Sequence, residues 1–503
     1  MNRRQFTQAL LAMAATGAGG ASRAADAGAD PLRPDLSRYT TQDITVGGQT
    51  LRVRAFEGLP TVARPLEPAY QAINLYVPEA YFEGGHIGAF EARTAPIFLP
   101  NAVGGYMPAK PGTLVNRMPP PPGQAALPNA SAVALSRGFV VAAPGARGRT
   151  LQAVDGRWTG KAPAAIVDLK AAVRWLRHNA GRLPGNVDRI VSNGTSAGGA
   201  LSALLGASGN HPDYEAELRA LGAVTARDDV FAISAYCPIT NLAHADEAYE
   251  WQFQGLREYR NVAISMLDFR VQRKEVVGQL DDAQRALSAE LRDGFVSYVN
   301  RLGLSTEDGR GLTLRPDGSG PLRDHIAALL QASAQQALDA GQDLSGTGWL
   351  QLHEGRVQAV DFSGYARGVG RMKALPAFDG LALETGENQL FGDSRIDKRH
   401  FTPFSARHSQ VPGAAQADAA TVKAMDGMQQ LADARSTVAR HWRIRHGSVD
   451  RDTSLAVPAL LAAAARRRGA TVDLALPWGR PHSGDYDLEA LFDWAESMVR
   501  GST

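Results

Sequence analysis

The sequence predicts an α/β protein whose parallel sheet is interrupted by a large, mostly helical insertion. In the first half of the chain, short apolar runs alternate with longer helical patterns, which is the βαβ rhythm of a parallel sheet. This rhythm stops after Asn241, and strand-like runs resume near residue 439. A Gly-x-Ser-x-Gly pattern lies where a predicted strand meets a predicted helix. At 503 residues the chain is long enough to bury the large core of such a fold.

The first 27 residues predict an export signal, not a part of the fold. Arg3 and Arg4 precede a short apolar run, residues 9–15, and an alanine-rich stretch with the composition of a cleavage region follows. We expect a bacterial protein that the twin-arginine route exports to the periplasm or beyond. No stretch of the chain offers about 20 consecutive apolar residues to span a bilayer. We therefore expect a soluble mature protein with no membrane association.

The strands of the predicted core are short apolar runs. In residues 28–244, the first part of the core, they lie at residues 95–100, 138–145, 189–194 and 230–238. Residues 164–185 carry apolar side chains at helical spacing and end in Pro-Gly, so a helix connects the second and third strands. Two late strand patterns, residues 439–447 and 470–479, belong to residues 396–503, the second part of the core.

The block between these parts, residues 245–395, is interpreted as an inserted lid domain. Its sequence is mostly helical with polar faces, and a glycine-rich loop at residues 305–324 breaks it. The sequence contains no internal repeat that would indicate a different architecture.

Composition points to a small-molecule substrate. Lys and Arg number 53 against 51 Asp and Glu, so no strong field favours nucleic acid. Cys237 is the only cysteine, which excludes an intrachain disulfide, and its apolar surroundings predict a buried packing role. No His, Cys and carboxylate cluster has metal-ligand spacing, so we expect no metal and no organic cofactor. Nothing in the sequence indicates an obligate protein partner.

Ser196 is the candidate nucleophile. It is the serine of the pattern Gly-Thr-Ser-Ala-Gly, which begins at Gly194. Between a strand and a helix, these glycines permit a strained turn that exposes the serine oxygen above the sheet, as in the α/β-hydrolase fold. The helix that follows adds its positive N-terminal dipole. The sequence therefore predicts an α/β-hydrolase fold with a lid.

A serine hydroxyl needs a histidine base that a carboxylate orients, and in this fold the order along the chain is Ser, acid, His. His482 follows the last strand pattern and precedes the last helix. Asp450 and Asp452 lie in the loop after the preceding strand, and spacing alone does not choose between them. His446 is nearby, but it precedes both carboxylates and breaks the expected order.

The oxyanion of an acyl-transfer reaction needs two backbone N–H groups. Ala197, directly after the nucleophile, supplies one of them. The loop after an early strand offers Gly104 and Gly105 for the other, and we assign Gly104. Many lipases carry a His-Gly-Gly run in this loop, which is absent here, so the choice between the two glycines stays open.

Longer segments of the chain resemble the bacterial subtype B tannases, serine esterases that release gallic acid from galloyl esters. The resemblance is carried by residues 194–218, 230–253, 371–379 and 443–453. It implies that Asp450, the first aspartate of the Asp-Arg-Asp loop, completes a triad with Ser196 and His482. It also implies that the substrate is a small galloyl ester.

The same resemblance implies a pocket for the galloyl ring. Asp452, Lys373 and Glu387 would contact the ring hydroxyls, and Ile239 would pack against the ring. The chemistry suits these residue types, because phenolic hydroxyls donate to carboxylates and an ammonium donates to a phenolic oxygen. Without the resemblance, the two lid residues would be ordinary exposed charges and Ile239 ordinary core.

Two alternative functions stay open at this point. A feruloyl or general aryl esterase would use the same triad with another acid pocket. A hydrolase-fold binding protein without catalysis is the other class, and the presence of Ser196, Asp450 and His482 in the expected order argues against it.

Overall fold

The computed structural model describes residues 30–115, 128–267 and 270–501. The predicted export signal lies outside these residues. The strands within them are β1 (Thr40–Val46), β2 (Gln49–Pro60), β3 (Ala72–Pro78), β4 (His86–Ile87), β5 (Phe90–Glu91), β6 (Pro96–Pro100), β7 (Val140–Pro144), β8 (Asn186–Thr195), β9 (Ala232–Tyr236), β10 (Glu258–Leu267), β11 (Arg270–Gln279), β12 (Leu350–His353), β13 (Arg356–Val360), β14 (His441–Arg445) and β15 (Thr471–Ala475).

Within the described residues, the α-helices begin after β6. They are α1 (Ala130–Ser136), α2 (Ala164–His178), α3 (Ala197–Ala207), α4 (Glu215–Leu221), α5 (Leu242–Gln252), α6 (Asp282–Leu302), α7 (Pro321–Asp339), α8 (Phe362–Val369), α9 (Gly386–Leu390), α10 (Pro403–Arg407), α11 (Ala419–Ala424), α12 (Gly427–Ala432), α13 (Ala456–Arg467) and α14 (Leu488–Arg500). None of the helices described is both long enough and apolar enough to cross a membrane.

A nine-stranded sheet forms the centre of the fold, with the strand order β1-β2-β3-β7-β6-β8-β9-β14-β15. Six neighbouring strands of this sheet pair in parallel, in the order β7, β6, β8, β9, β14 and β15. The strands β1, β2 and β3 extend the edge beside β7 by antiparallel pairing. Helices pack on the sheet, which gives the predicted α/β-hydrolase fold. All six predicted strands of the parallel part, β6, β7, β8, β9, β14 and β15, are confirmed.

The antiparallel edge was not predicted. The strand β1 has no buried residue, so its sequence lacks the continuous apolar run by which the other strands are recognised. A two-residue turn at Gly47 and Gly48, with φ of 57° and 80°, joins it to β2. Positive φ at both central residues is what a tight hairpin turn requires, and glycine adopts it without strain. The Gly-Gly pair was therefore an available signal for this hairpin.

The central helix α3 is buried along its whole length. It packs against β8 and β9, and its alanine, glycine and serine residues let it lie close to the sheet. A side chain at Gly206 would meet Ile233 of β9, since a Cβ there would lie 2.8 Å from the isoleucine side chain. The small residues therefore determine how far α3, and Ser196 directly before it, lie from the sheet.

The insertion occupies the connection between two neighbouring strands. The chain leaves the sheet after Tyr236 at the end of β9 and returns at His441 in β14, which pairs in parallel with β9. The predicted lid, residues 245–395, lies inside this excursion. It contains two β-hairpins, β10-β11 and β12-β13, so the prediction of a mostly helical block is wrong at these residues. Charged residues interrupt their strand patterns, as in the run that begins at Arg270.

A buried ion pair ties α5, at the start of the insertion, to a segment near its far end. Arg371 Nη1 donates to Glu250 Oε2 at 2.7 Å, and both side chains are fully buried. Arg371 Nε donates to the carbonyl of Lys373 at 2.8 Å. The Tyr249 hydroxyl accepts the backbone N–H groups of Met372 and Lys373, each at 3.0 Å. These contacts hold residues 371–373 in one position relative to α5.

Replacing Glu250 with Ala should destabilise the protein strongly. The change leaves the Arg371 guanidinium buried without its partner, and breaking a buried pair in this way costs about 3–5 kcal/mol. Urea unfolding monitored by circular dichroism measures the loss. As a control, Asp308→Ala breaks the exposed pair with Arg310 and should change the midpoint little. Equal effects from the two changes would show that the buried pair does not stabilise the fold.

Candidate active site

Ser196 lies in a strained turn between β8 and α3. Its backbone has φ 60° and ψ −122°, a conformation that side-chain-bearing residues rarely adopt. The turn needs glycine on both sides. A Cβ at Gly194 would lie 2.4 Å from the carbonyl oxygen of Gly198, and one at Gly198 would lie 2.7 Å from that of Val103. Packing therefore explains both glycines of the pattern, and Ser196 sits at the carboxyl edge of the sheet.

Backbone strain is concentrated at this edge. Eight non-glycine residues of the described ranges have positive φ, and five of them lie in loops that follow strands of the parallel sheet. The five are Tyr106, Ser196, Cys237, Asn241 and Asp485. Carboxyl ends of parallel strands meet at one edge, so these residues belong to one region. Strain of this kind clusters at functional sites.

Asp450 and His482 form a hydrogen-bonded pair at the same edge. His482 Nδ1 lies 2.8 Å from Asp450 Oδ2, and the Asp450 side chain is fully buried. The other oxygen of Asp450 accepts the backbone N–H of Asp452 at 2.8 Å. Asp452 Oδ2 lies 3.6 Å from His482 Nδ1 and its side chain is partly exposed. Of the two candidate aspartates, Asp450 thus makes the hydrogen bond to the imidazole.

The loop of His482 packs against the end of β8, which carries the strained serine. The Cys237 thiol donates to the carbonyl of Ser483 at 3.3 Å. A Cβ at Gly484 would lie 1.8 Å from Thr195 Oγ1, so the two loops touch with no space between them. The fold therefore brings the serine, imidazole and carboxylate loops together from three distant parts of the chain.

Electrostatics favours a charged pair at this site. Burial disfavours an imidazolium, but the hydrogen bond with Asp450, the contact with Cys237 and the nearby carboxylates outweigh it, and the pKa of His482 is raised. Burial alone would raise the pKa of Asp450, yet the hydrogen bond and charge of His482, together with the backbone N–H of Asp452, hold that pKa well below its usual range. Asp450 therefore stays ionised, and it stabilises a proton on His482.

His446 is no member of the predicted triad, but its ring lies beside the acid. Its Nε2 lies 3.6 Å from Asp450 Oδ2, and neither ring nitrogen has a hydrogen-bond partner within the residues described. Burial lowers the pKa of His446, which favours the neutral ring. The residue lies at the end of β14, four positions before Asp450, and that position was an available signal.

Cys237 is buried, as the sequence predicted, but it does more than pack. Its sulfur, an Asp450 oxygen and a His482 nitrogen all lie within 4.8 Å of one another. Such a group could hold a metal ion, and the sequence did not indicate it because the three residues are far apart in the chain. Burial raises the pKa of the Cys237 thiol, which keeps it protonated. The hydrogen bond between Asp450 and His482 already engages two of the three groups.

The predicted oxyanion loop lies beside the nucleophile turn. Gly104 and Gly105 are both exposed in the loop after β6. The Asn101 side chain donates to the carbonyl of Gly198 at 3.0 Å and so anchors this loop to α3. Ala197 is the first residue of α3, where a backbone N–H has no partner four residues earlier in the helix. The geometry does not separate Gly104 from Gly105.

Ile239 lies between the nucleophile turn and the oxyanion loop. Its N–H donates to the carbonyl of Ser196 at 3.3 Å, and its own carbonyl accepts the Tyr106 hydroxyl at 2.9 Å. The side chain is 6% exposed. Ile239 therefore presents a small apolar surface next to the serine.

Lys373 connects the insertion to the acid loop. Its ammonium lies 3.5 Å from Asp452 Oδ1 and 4.0 Å from the centre of the Phe378 ring. The Lys373 and Asp452 side chains are 19% and 29% exposed, so both remain accessible to a bound molecule. Since Asp452 also faces His482, these charges lie directly beside the imidazole.

Glu387 faces the other side of the site. It lies in the first turn of α9 and is half-buried. Burial raises the pKa of the Tyr106 phenol, and the Glu387 charge raises it further. Arg149, whose Nε donates to the carbonyl of Gly105 at 2.9 Å, also senses this carboxylate. A Cβ at Gly386, the residue before Glu387, would lie 3.0 Å from the Arg149 guanidinium, so the start of α9 lies beside the oxyanion loop that Arg149 contacts.

The chain is similar to known esterases over most of its length. A family model described as BD-FAE matches residues 126–280. The crystal structure of tannase from Lactobacillus plantarum is 43% identical, with a TM-score of 0.89, and the match covers 93% of this chain and 100% of that one. A structure of tannin acyl hydrolase in complex with ethyl gallate is also 43% identical, with a TM-score of 0.86, over 93% of this chain and 99% of that one.

A curated relative matches a short stretch of the chain. Esterase LipC of Mycobacterium tuberculosis is 45% identical over 62 residues, which is 12% of this chain. The chain spans 14% of the length of that relative. This short match supports an esterase core, while the similarity to the solved structures extends through the insertion.

Asp450→Asn should lower the pKa of His482 more than Asp452→Asn does. The first change removes the buried charge and the hydrogen bond that raise this pKa, whereas the second removes only a partly exposed charge. Titration of the His482 ring by NMR in both variants measures the difference. A larger drop of the His482 pKa in the Asp452→Asn variant would mean that Asp452, and not Asp450, is the carboxylate partner of His482.

Proposed function

The chain belongs to the tannase family, and we propose that it is a serine carboxylic ester hydrolase that cleaves galloyl esters of tannins and simple gallates. The observation that carries this proposal is the hydrogen bond between the buried Asp450 and His482, in a loop that packs against the residue before the strained Ser196. The similar protein that binds ethyl gallate supports the choice of acyl group.

In the first half of the proposed reaction, Ser196 becomes the nucleophile. His482 acts in its neutral form: its Nδ1–H donates to Asp450, which leaves the unprotonated Nε2 to take the hydroxyl proton of Ser196. The serine oxygen then bonds to the ester carbonyl carbon, and the carbonyl oxygen becomes an oxyanion. The N–H groups of Ala197 and Gly104, or of Gly105 in its place, stabilise that charge.

Collapse of this intermediate breaks the bond to the alcohol. The alcohol leaves with the proton from His482, and the galloyl group remains bound to Ser196 as an ester. Water then attacks the galloyl-enzyme by the same steps, with His482 as base and then as acid, and releases gallic acid. Asp450 stays ionised throughout and stabilises the imidazolium, because its pKa is held below the usual range.

Recognition of the galloyl ring is assigned to charges on both sides of the serine. Asp452 and Lys373 lie beside His482, and Glu387 belongs to the start of α9, beside the oxyanion loop. A ring with three adjacent hydroxyls can donate to the carboxylates and accept from the ammonium. Ile239 offers the apolar contact next to Ser196.

Lys373→Ala and Glu387→Ala should each lower kcat/KM for methyl gallate. The loss of transition-state stabilisation should be about 1.5–3 kcal/mol, the range for hydrogen bonds to charged groups. Methyl benzoate should react about 10⁴-fold more slowly than the gallate, because it leaves the charges unpaired. Both changes should reduce the ratio of kcat/KM for methyl gallate to kcat/KM for methyl benzoate. Steady-state kinetics on the two esters measures this ratio. Lys110→Ala, which removes an exposed ammonium, is the matched control.

Two further observations delimit this experiment. Ser196→Ala should lose on the order of 10⁴ in kcat on every ester, since no covalent step remains. Retention of several per cent of activity in that variant would contradict the nucleophile assignment. Faster hydrolysis of methyl ferulate than of methyl gallate by the unmodified protein would favour the feruloyl or aryl esterase alternative instead.

We also propose that residues 1–27 direct export by the twin-arginine route and that residues 245–395 act as a lid over the site. The arginine pair supports the first of these. The second is supported by Lys373, which reaches the acid loop from within the insertion.

Replacing Arg3 and Arg4 with lysine should leave active precursor in the cytoplasm of a bacterial host, as fractionation measures. Undiminished periplasmic activity would contradict the export proposal.

A further inference from the structure

A second cleft lies where the insertion meets the loops of Asp450 and His482. Its volume is about 900 Å³, within the range of small-molecule sites. The insertion contributes Trp349, Arg367 and the glycine face of α8, and the core contributes Arg451 and Trp478. Neither Ser196 nor the residues assigned to the galloyl ring line this cleft. It is therefore a feature that the proposed reaction does not yet use.

The cleft is immediately next to the catalytic loops. Val449 and Arg451, the two chain neighbours of Asp450, line it, and so does Pro481, the residue before His482. Consecutive Cα atoms are 3.8 Å apart, so the wall of the cleft lies within one residue of both groups. The cleft therefore borders the two loops that carry the acid and the base.

Contacts between the two halves of the cleft fix its shape. The Tyr365 hydroxyl of α8 donates to the carbonyl of Ser448 in the acid loop at 2.8 Å. Arg451 Nη1 donates to the carbonyl of Val369 at 3.2 Å. Both bonds join the insertion to the loop that carries Asp450, so the cleft is built into the folded chain.

The surface of the cleft suits an aromatic ring. The rings of Trp349 and Trp478 lie 5.4 Å apart with their planes inclined by 44°, and both side chains are half-buried. Trp349 lies against two glycines of α8, because a Cβ at Gly364 or Gly368 would come within 2.9 or 2.8 Å of it. The glycines thus leave space for the indole on the helix.

Polar groups beside the indoles suit phenolic oxygens. Arg367 and Arg451 line the cleft together with one carboxylate, Asp361. Arg367 is largely exposed and lies 3.4 Å from Asp361, so its guanidinium has donors to spare. Guanidinium groups donate to phenolic and ester oxygens and also stack on aromatic faces. Two cations and two indoles at one place favour an aromatic ring that bears hydroxyls.

We propose that this cleft binds a second galloyl ring, carried by the alcohol portion of a polygalloyl ester whose first galloyl group is being cleaved. The inference rests on the proposed galloyl esterase function and adds to it the class of leaving group. The ring stacks on Trp478 and Trp349, and Arg367 donates to its oxygens. The cleft thereby selects esters that carry several galloyl groups over simple alkyl gallates.

The test compares kcat/KM for pentagalloylglucose with kcat/KM for methyl gallate in each protein. Trp478→Ala should lower this ratio about tenfold, and Arg367→Ala severalfold, since only the larger ester reaches the cleft. Trp478→Phe should restore most of the ratio because it keeps a stacking ring. Arg356→Ala is the control: this exposed arginine of β13 does not line the cleft, and its loss should leave the ratio unchanged.

Arg367→Ala removes an exposed side chain and keeps the test decisive if Trp478→Ala fails to fold. A ratio within twofold of the unmodified protein in every folded cleft variant would overturn the inference while leaving the galloyl esterase function in place. Failure of the unmodified protein to hydrolyse methyl gallate would instead overturn the proposed function, and the inference with it.

Discussion

The catalytic edge of this protein depends on how closely backbones approach where β8 passes into α3. A Cβ at Gly199 would lie 2.4 Å from the carbonyl oxygen of Tyr236, and the same oxygen accepts the N–H of Ser196 at 2.9 Å. The end of β9 therefore holds both the turn and the helix. Because α3 is buried along its whole length, a larger residue in this turn would move Ser196 away from the loops of the acid and the histidine.

The sequence was sufficient for the six strands of the parallel part of the sheet. Buried parallel strands such as β7 and β9 are continuous apolar runs, and burial on both faces leaves them no other pattern. The exposed edge strand β1 lacks such a run, whereas β3 and β10 carry apolar runs that the prediction missed. These strands are stabilised by pairing and tertiary packing, which a single sequence does not display.

The residues of the active site also fall into two groups, those that a sequence pattern indicates and those that only the fold reveals. Ser196 and His482 follow from a local pattern and from position relative to strands. Asp450 and Asp452 are two residues apart in one loop, and only the fold shows which carboxylate is buried against the imidazole. The contacts of His446 and Cys237 with this pair join distant segments or depend on burial, so no spacing rule reveals them. Lys373 and Glu387 became candidates through the family resemblance alone.

The buried pair of Glu250 and Arg371 also limits how this enzyme can be recombined with its relatives. The two residues are 121 positions apart, one in α5 at the start of the insertion and one beside the lysine assigned to substrate recognition. A crossover between them would join a glutamate and an arginine from different parents, whose partners were selected in different surroundings. Chimeras that inherit α5 and residues 371–373 from one parent keep this contact intact, so the useful breakpoints lie outside that interval.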